Sequence, residues 1–300
     1  MKRKAYIYII VAGVLWGTSG IFVNMLAPYG FSSVQLTAAR GAVSALFMAV
    51  YLLIRDKKAF RIKPLELLLV IGSGAALFGT ASCYYMSLQA TSIATAVVLM
   101  YMAPALVMIF SVLFLGERFN TVKGVALVMI LVGGALVSGI VGGLKFNAFG
   151  FAMGIMSAIS YGSYNILTKV QMRCGVNPLS ATFYTFLFMS VIALCVSDPA
   201  GIVSAAAQRP AVTLPWLIAL GIGTGVIPYF AYTLALRTLD AGTASSLAII
   251  EPMSATLFGV VIYNEKLTVF SVVGIILIVS AVFMLGREKE YIKNKGDKLQ

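Results

Sequence analysis

Apolar residues fill long blocks of this chain, and polar residues collect in short clusters between them. A bilayer core takes about 20 apolar residues per helical span. That ruler predicts ten spans, near residues 5–27, 32–54, 65–88, 92–115, 121–141, 147–168, 178–197, 214–236, 241–262 and 267–286. Connections such as APYG at 27–30 and QATS at 89–92 are too short to hold a domain. Consecutive spans are therefore expected to pair as antiparallel helices, with no soluble domain. The N-terminal MKRK ahead of an apolar block has the look of a secretory signal, yet the block is longer than an h-region and has no small-x-small site before polar sequence. It is read as a retained helix, and the predicted fold class is an all-α integral membrane protein.

Composition agrees with the pattern. Hydrophobic residues make up 60% and charged residues 11% of the chain, where soluble domains carry about 25% charged residues. The formal net charge of +12 would suit nucleic acid only if the basic residues formed one continuous face. They fall instead in clusters between spans, which argues against a nucleic-acid partner. With the N-terminus in the cytoplasm, 18 Lys and Arg residues lie in cytoplasmic segments and 3, Lys145, Arg209 and Lys266, lie outside. The positive-inside bias then predicts a multi-pass protein of the plasma membrane with both termini cytoplasmic. Cys83, Cys174 and Cys195 sit in separate segments with no Cys-x-x-Cys pair, and the chain has no His, so neither a disulfide framework nor a metal site is expected. Nothing in the pattern sets an oligomeric state.

An internal repeat appears at an offset of 145 to 148 residues: LGERFN at 115–120 returns as YNEKLT at 263–268, and ATSIATAVVLMYMAP at 90–104 returns as LDAGTASSLAIIEP at 239–252. AGVLWGTSG at 12–20 sits over SAISYGSYN at 157–165. Five spans per half is an odd number, so the second half must enter the membrane from the opposite side. The expected domains are two inverted five-helix repeats, 1–143 and 144–290, followed by a basic cytoplasmic tail at 291–300. Glu117 and Arg118 then face the cytoplasm and their mates Glu265 and Lys266 the outside. Two equivalent ways of opening a central site, one to each face, suit alternating access.

The stretches YMAPALVMIFSVLFLGERF at 101–119 and IEPMSATLFGVVIYNEKLT at 250–268, with Arg40 in the second span and GVLWGTS in the first, resemble the ten-helix, EamA-type members of the drug/metabolite transporter superfamily. The second stretch departs from the pattern with Asn264 in place of Gly and Lys266 in place of Arg. The resemblance implies a secondary transporter of amino acids, sugars, drugs or other metabolites, leaning toward export.

Two charged residues fall near the middle of spans, Arg40 and Glu251. Each costs roughly 2.5–3.5 kcal/mol at a helix centre on insertion scales and is seldom left facing lipid. At 1.5 Å per residue, Arg40 lies roughly 12 Å and Glu251 roughly 15 Å from a helix end, near the middle of a core about 30 Å thick. Their repeat mates are Thr185 and Ala103, so the charges break the symmetry. Arg40 and Glu251 either serve a substrate, or neutralise each other, or in the case of Arg40 cap carbonyls freed at the helix-breaking prolines Pro104 and Pro252. Glu251, ahead of Pro252, is the candidate for proton coupling, since desolvation favours its neutral acid and a nearby Arg40 its anion.

Helical spacing puts Trp16, Ser19, Gly20 and Val23 on one face of the first span, and Tyr161, Tyr164, Asn165 and Thr168 on the equivalent face of the sixth. Tyr84 and Tyr232 form a further repeat pair, with Tyr101 and Tyr229 near them in sequence. The expected substrate-binding set is Trp16, Ser19, Arg40, Tyr84, Tyr101, Tyr161, Tyr164, Asn165, Tyr229, Tyr232 and Glu251. One cation, one anion and an aromatic wall suit a small zwitterion such as an amino acid. An organic cation held by Glu251 and the rings is the alternative. The runs Gly13-x-x-x-Gly17 and Gly221-x-Gly223-x-Gly225 read as close-packing surfaces.

Other classes fit less well. Gly17-Thr18-Ser19-Gly20 matches the G-x-S-G setting of a rhomboid-type intramembrane serine protease, but a serine nucleophile needs a positioned base and the chain has no histidine. A channel would need a ring of charges or a filter loop, and neither is seen. No G-x-x-x-x-G-K-[ST] loop occurs, so transport is expected to run on gradients, proton coupling or exchange, without a cofactor.

Overall fold

In lipid every backbone N–H and C=O must be satisfied within the protein, and a helix does so within one segment. The computed structural model describes residues 2–91, 93–137, 147–264 and 268–296; Lys145, Glu265, Lys266 and Lys298 lie outside the described residues. The first half comprises α1 (Lys2–Gly17), α2 (Ser19–Leu26), α3 (Ser33–Arg55), α4 (Pro64–Ala90), α5 (Ile93–Met100), α6 (Ala103–Leu115) and α7 (Thr121–Val137). The second comprises α8 (Ala148–Arg173), α9 (Pro178–Val196), α10 (Pro199–Ala207), α11 (Pro210–Leu220), α12 (Ile227–Leu236), α13 (Ala241–Leu247), α14 (Ile250–Tyr263) and α15 (Val269–Gly296).

Among the described residues seven stretches are long and apolar enough to cross a membrane: Arg3–Tyr29, Ser33–Arg55, Pro64–Ala90, Thr95–Leu115, Pro178–Val196, Pro210–Leu236 and Ala241–Ile262. Ten were expected. The apolar helices Thr121–Val137 and Val269–Leu285 are shorter than that ruler, and α8 is long but diluted by Ser157, Ser160, Tyr161, Ser163, Tyr164 and Asn165. The outer surface is apolar, with Leu46, Ile54, Leu113, Phe114 and Val261 all exposed, as a lipid-facing bundle requires.

Several predicted spans are interrupted. The first breaks at Thr18, between α1 and α2. Pro104 and Pro252 do not break helices where they stand, which corrects the sequence expectation. The breaks fall at 101–102 and 248–249, and each proline sits in the first turn of the helix that follows, where its missing N–H leaves no bond unmade. Residues Gly221–Val226 form a π-helical segment joining α11 to α12. Next to it the Ser44 hydroxyl lies 2.8 Å from the Gly221 carbonyl and 2.7 Å from the Arg40 carbonyl. Helix α10, between the predicted seventh and eighth spans, was not anticipated.

Helix α4 packs against α8, α3 against α9, α7 against α15, α1 against α12 and α14, and α6 against α8 and α13. Small residues set the closest of these contacts. A Cβ on Gly17 would lie 2.8 Å from Ser254 Cβ and 2.9 Å from the Glu251 carbonyl oxygen, so α1 rides directly on the α14 backbone. Gly221 and Gly225 are likewise packed against Val43 and Ser44, whereas Gly223 touches only the edge of Phe22.

Helices α6 and α14 end alike. Gly116 and Asn264 each take a left-handed conformation, with φ of 63° and 55°, and each donates its N–H to a carbonyl five residues back. Asn tolerates this region better than other side-chain-bearing residues. That conformation is the physical reason Asn264 can replace the usual Gly.

Candidate functional site

Helices α1–α6, α8 and α12–α14, with the breaks at 101–102 and 248–249, surround a cavity of about 200 Å³. Trp16, Ser19, Arg40, Tyr84, Tyr101, Pro104, Tyr161, Tyr229 and Glu251 line it, with Tyr85, Thr80 and Ser245. The chain breaks matter here. Where α5 gives way to α6 and α13 to α14, the backbone turns, and Tyr101 and Glu251 flank these turns at the cavity wall.

Arg40 and Glu251 sit in this space without contact partners. Ion pairs within 4.0 Å among the described residues join Lys63 to Glu66, Lys123 to Asp240 and Arg173 to Glu117, and none joins Arg40 to Glu251. Arg40 Nε is buried with no hydrogen-bond partner, as is Trp16 Nε1. Neither direct neutralisation nor capping of the carbonyls around the prolines is seen for the Arg40 guanidinium. Ser19 donates its hydroxyl to the Trp16 carbonyl at 2.6 Å, a bond within its own turn that leaves no base acting on it.

Three expected lining residues lie elsewhere. Tyr164, Asn165 and Tyr232 are 2%, 0% and 0% exposed and do not reach the cavity. They lie beneath its floor. Trp16 meets Tyr229 edge-on at 4.9 Å between ring centroids and Tyr232 at 5.5 Å, while Tyr229 meets Tyr164 at 5.8 Å and Phe186 at 5.1 Å. The Tyr232 hydroxyl donates to Asn165 Oδ1, and Asn165 Nδ2 donates to the Tyr161 carbonyl at 2.7 Å. This layer fixes the floor rings. Helical spacing assigns a face but not a depth, so three residues of the right face fell one layer too low. In the first span Val23 likewise leaves the cavity and packs with a separate cluster around Leu26 and Leu220.

Near the connections at 116–120 and 237–240 lie three buried charges, Glu117, Lys123 and Lys169, and each of them is engaged. Glu117, 8% exposed, accepts the N–H groups of Ala241 at 2.9 Å and Gly242 at 3.5 Å, and its carboxylate lies 3.9 Å from Arg173. Lys169, 7% exposed, donates to the Leu236 carbonyl at 2.8 Å and the Leu239 carbonyl at 2.6 Å. Lys123 donates to Asp240 at 2.9 Å and to the Arg118 carbonyl at 3.0 Å. Sequence reasoning noticed Glu117 only as part of a signature and overlooked Lys169. The available signal for Lys169 was a cation one residue past a predicted span. Tyr85 and Ser245 were also missed; Tyr85 adjoins Tyr84, and Ser245 lies within the repeated stretch at 239–252.

The comparisons with known proteins agree with this architecture. A solved crystal structure covering 97% of this chain and 100% of its own superposes with a TM-score of 0.81 at 21% identity, which speaks for the fold. A relative from Archaeoglobus fulgidus, an uncharacterized transporter, is 30% identical over 93% of this chain and 95% of its own length. The pseudopaline exporter CntI of Pseudomonas aeruginosa is 26% identical over 91% of this chain and 97% of its own. The pattern of the EamA-like transporter family matches twice, over residues 3–139 and again over 148–287. Named transporters on the one hand and a lipid-facing helical bundle around a charged cavity on the other leave no enzyme to account for: the chain is a membrane transporter and belongs to the EamA-like transporter family.

Proposed function

We propose that this protein is a secondary transporter that exports a small zwitterion, such as an amino acid, by alternating access between two inverted five-helix repeats, residues 1–143 and 144–290. One observation carries the reading: a guanidinium and a carboxylate face the same cavity and neither has a protein partner, with the Arg40 Nε and Trp16 Nε1 donors both unmet. A ligand with its own carboxylate and ammonium would supply both missing partners. The 200 Å³ cavity is smaller than the roughly 300–1,000 Å³ of sites for drug-sized molecules. That favours a small metabolite over a drug. The organic-cation reading draws on Tyr84, Tyr85, Tyr101, Tyr161 and Tyr229, whose rings line the same cavity as Glu251.

The packing supports inverted repeats. Exchanging the halves turns the α1–α12 contact into the α8–α4 contact and the α1–α14 contact into the α8–α6 contact, while α3–α9 and α7–α15 map onto themselves. The charge bias favours a plasma-membrane location with the closed polar end, both termini and the 291–300 tail on the cytoplasmic side. The cavity then faces outward. Export is favoured by the name of one relative, the pseudopaline exporter. Proton coupling through Glu251 fits a carboxyl with no fixed partner.

A thermal-shift screen of the purified protein against zwitterionic metabolites and lipophilic cations tests the reading, because a ligand of the folded state raises apparent stability. Stabilisation by zwitterions that disappears in both Arg40→Ala and Glu251→Gln is the expected result. Stabilisation by cations alone, lost only in Glu251→Gln, would replace it with the organic-cation reading.

A further inference from the structure

Beneath the floor of the cavity, between α8, α9 and α12, the side chains of Thr168, Gln171, Thr182, Thr185 and Thr233 face one another around a gap that admits no water molecule. The Tyr164 and Tyr229 rings border it on the cavity side. All five polar side chains are buried, at 2%, 0%, 3%, 4% and 2% exposure. A seam that stayed shut in a lipid-embedded bundle would be better served by valine and leucine, since a buried polar group without a partner carries a penalty that an apolar one does not. Gln171 illustrates this: its amide nitrogen is held by the Leu69 carbonyl and the Ser73 hydroxyl, while its Oε1 is buried with no partner. Thr182 and Thr233 donate to carbonyls four residues back on their own helices, at 2.9 and 2.8 Å, bonds that survive separation of the helices.

Position gives the seam a role. It lies between the cavity floor and the closed polar end, and Thr185 is the repeat mate of Arg40. Helices α8, α9 and α12 correspond to the first-half helices that wall the cavity. Beyond the seam, Lys169 ties α8 to the end of α12, and Glu117 ties the end of α6 to the start of α13.

We propose that this seam is the closed half of the transport path: when α12 and α13 part from α8 and α6, the threonine hydroxyls and Gln171 Oε1 are hydrated and pass a small polar solute, with Tyr164 and Tyr229 as the gate and the Glu117 and Lys169 contacts as the latch. The inference rests on the alternating-access reading.

The test uses full-length protein in which Cys83, Cys174 and Cys195 are replaced by Ser, carrying Thr185→Cys or, in a second variant, Thr182→Cys. A charged, membrane-impermeant methanethiosulfonate is added to one face or the other of oriented membrane vesicles. Both cysteines should label from the face that carries the 55–63 connection. Adding Glu117→Gln should speed labelling by roughly 5–30-fold, the population change that the loss of one or two modest contacts represents. Labelling of neither cysteine, or labelling only from the cavity face, overturns the proposal. A separate arm covers variants that fold poorly: in a permanently packed core Thr185→Val would leave flux and melting temperature unchanged or raise the latter, whereas a path predicts several-fold slower flux with melting temperature held. A protein that is stabilised by zwitterions yet never labels refutes the seam alone; one that labels yet responds to no zwitterion refutes the substrate reading alone.

Discussion

The cavity and the closed polar end both hold charged side chains away from bulk solvent, and they treat them in opposite ways. At the polar end each buried charge is answered by the protein: Glu117 by two backbone N–H groups, Lys169 by two carbonyls and Lys123 by Asp240. In the cavity Arg40 and Glu251 are answered by nothing within contact distance among the described residues. The two sets also differ in depth, since Arg40 and Glu251 are half-buried where Glu117, Lys123 and Lys169 are fully buried. The informative property is whether the partner is part of the chain.

The comparison breaks most clearly at Glu251. Glu251→Gln keeps shape and hydrogen-bonding capacity but removes the charge, and should weaken binding of a zwitterion by about 2 kcal/mol or more, roughly 30-fold, with little change in melting temperature. If Glu251 also carries protons, gradient-driven flux disappears while exchange survives. Reconstituted liposomes measure both, and normal rates with normal pH dependence would make Glu251 a structural residue after all.

Lys169→Met should do the reverse. Losing the ammonium leaves the Leu236 and Leu239 carbonyls short of a donor, and thermal unfolding should show a loss of about 1–3 kcal/mol, with substrate affinity changing far less than in Glu251→Gln. A shift in affinity of that size, without a loss of stability, would erase the distinction between the two regions. A smaller effect is expected where α14 ends. Asn264→Ala places a side chain without local hydrogen-bonding ability in a left-handed conformation and should cost roughly 1 kcal/mol, while Asn264→Gly should be tolerated; chemical denaturation of the two variants makes the measurement. The smallest effect belongs to Ser19→Ala. Its hydroxyl already bonds to the Trp16 carbonyl, so affinity should change by about 1 kcal/mol at most, and wild-type protein should not react with a fluorophosphonate probe.

Much of this was legible in the sequence because lipid is an unforgiving solvent. Blocks of apolar residues could only become helices, and Arg40 and Glu251 stood out because lipid does not tolerate stray charges. The aromatic wall was half legible. Trp16, Tyr84, Tyr101, Tyr161 and Tyr229 line the cavity, whereas Tyr164, Asn165 and Tyr232 lie in the layer below. Periodicity cannot supply depth, which depends on how far neighbouring helices approach. The breaks at 101–102 and 248–249 were misplaced onto the prolines for a related reason. A proline marks the neighbourhood of a break, but the turn falls where the preceding carbonyls find other partners. Helix α10 and the π-helical segment left no pattern that apolar blocks could reveal.

That π-helical segment, Gly221–Val226, stores one residue more than an α-helix of the same length would need. Loss of a single codon there would remove the stored residue and restore ordinary winding, while the helix beyond it kept its present face. Tyr229 and Tyr232 follow within one or two turns, so their rings would stay beside Trp16 while the contacts of Gly221 and Gly225 with Val43 and Ser44 were remade. A descendant of this gene could in this way lose the wide turn and its Ser44–Gly221 contact in one deletion and keep its cavity floor.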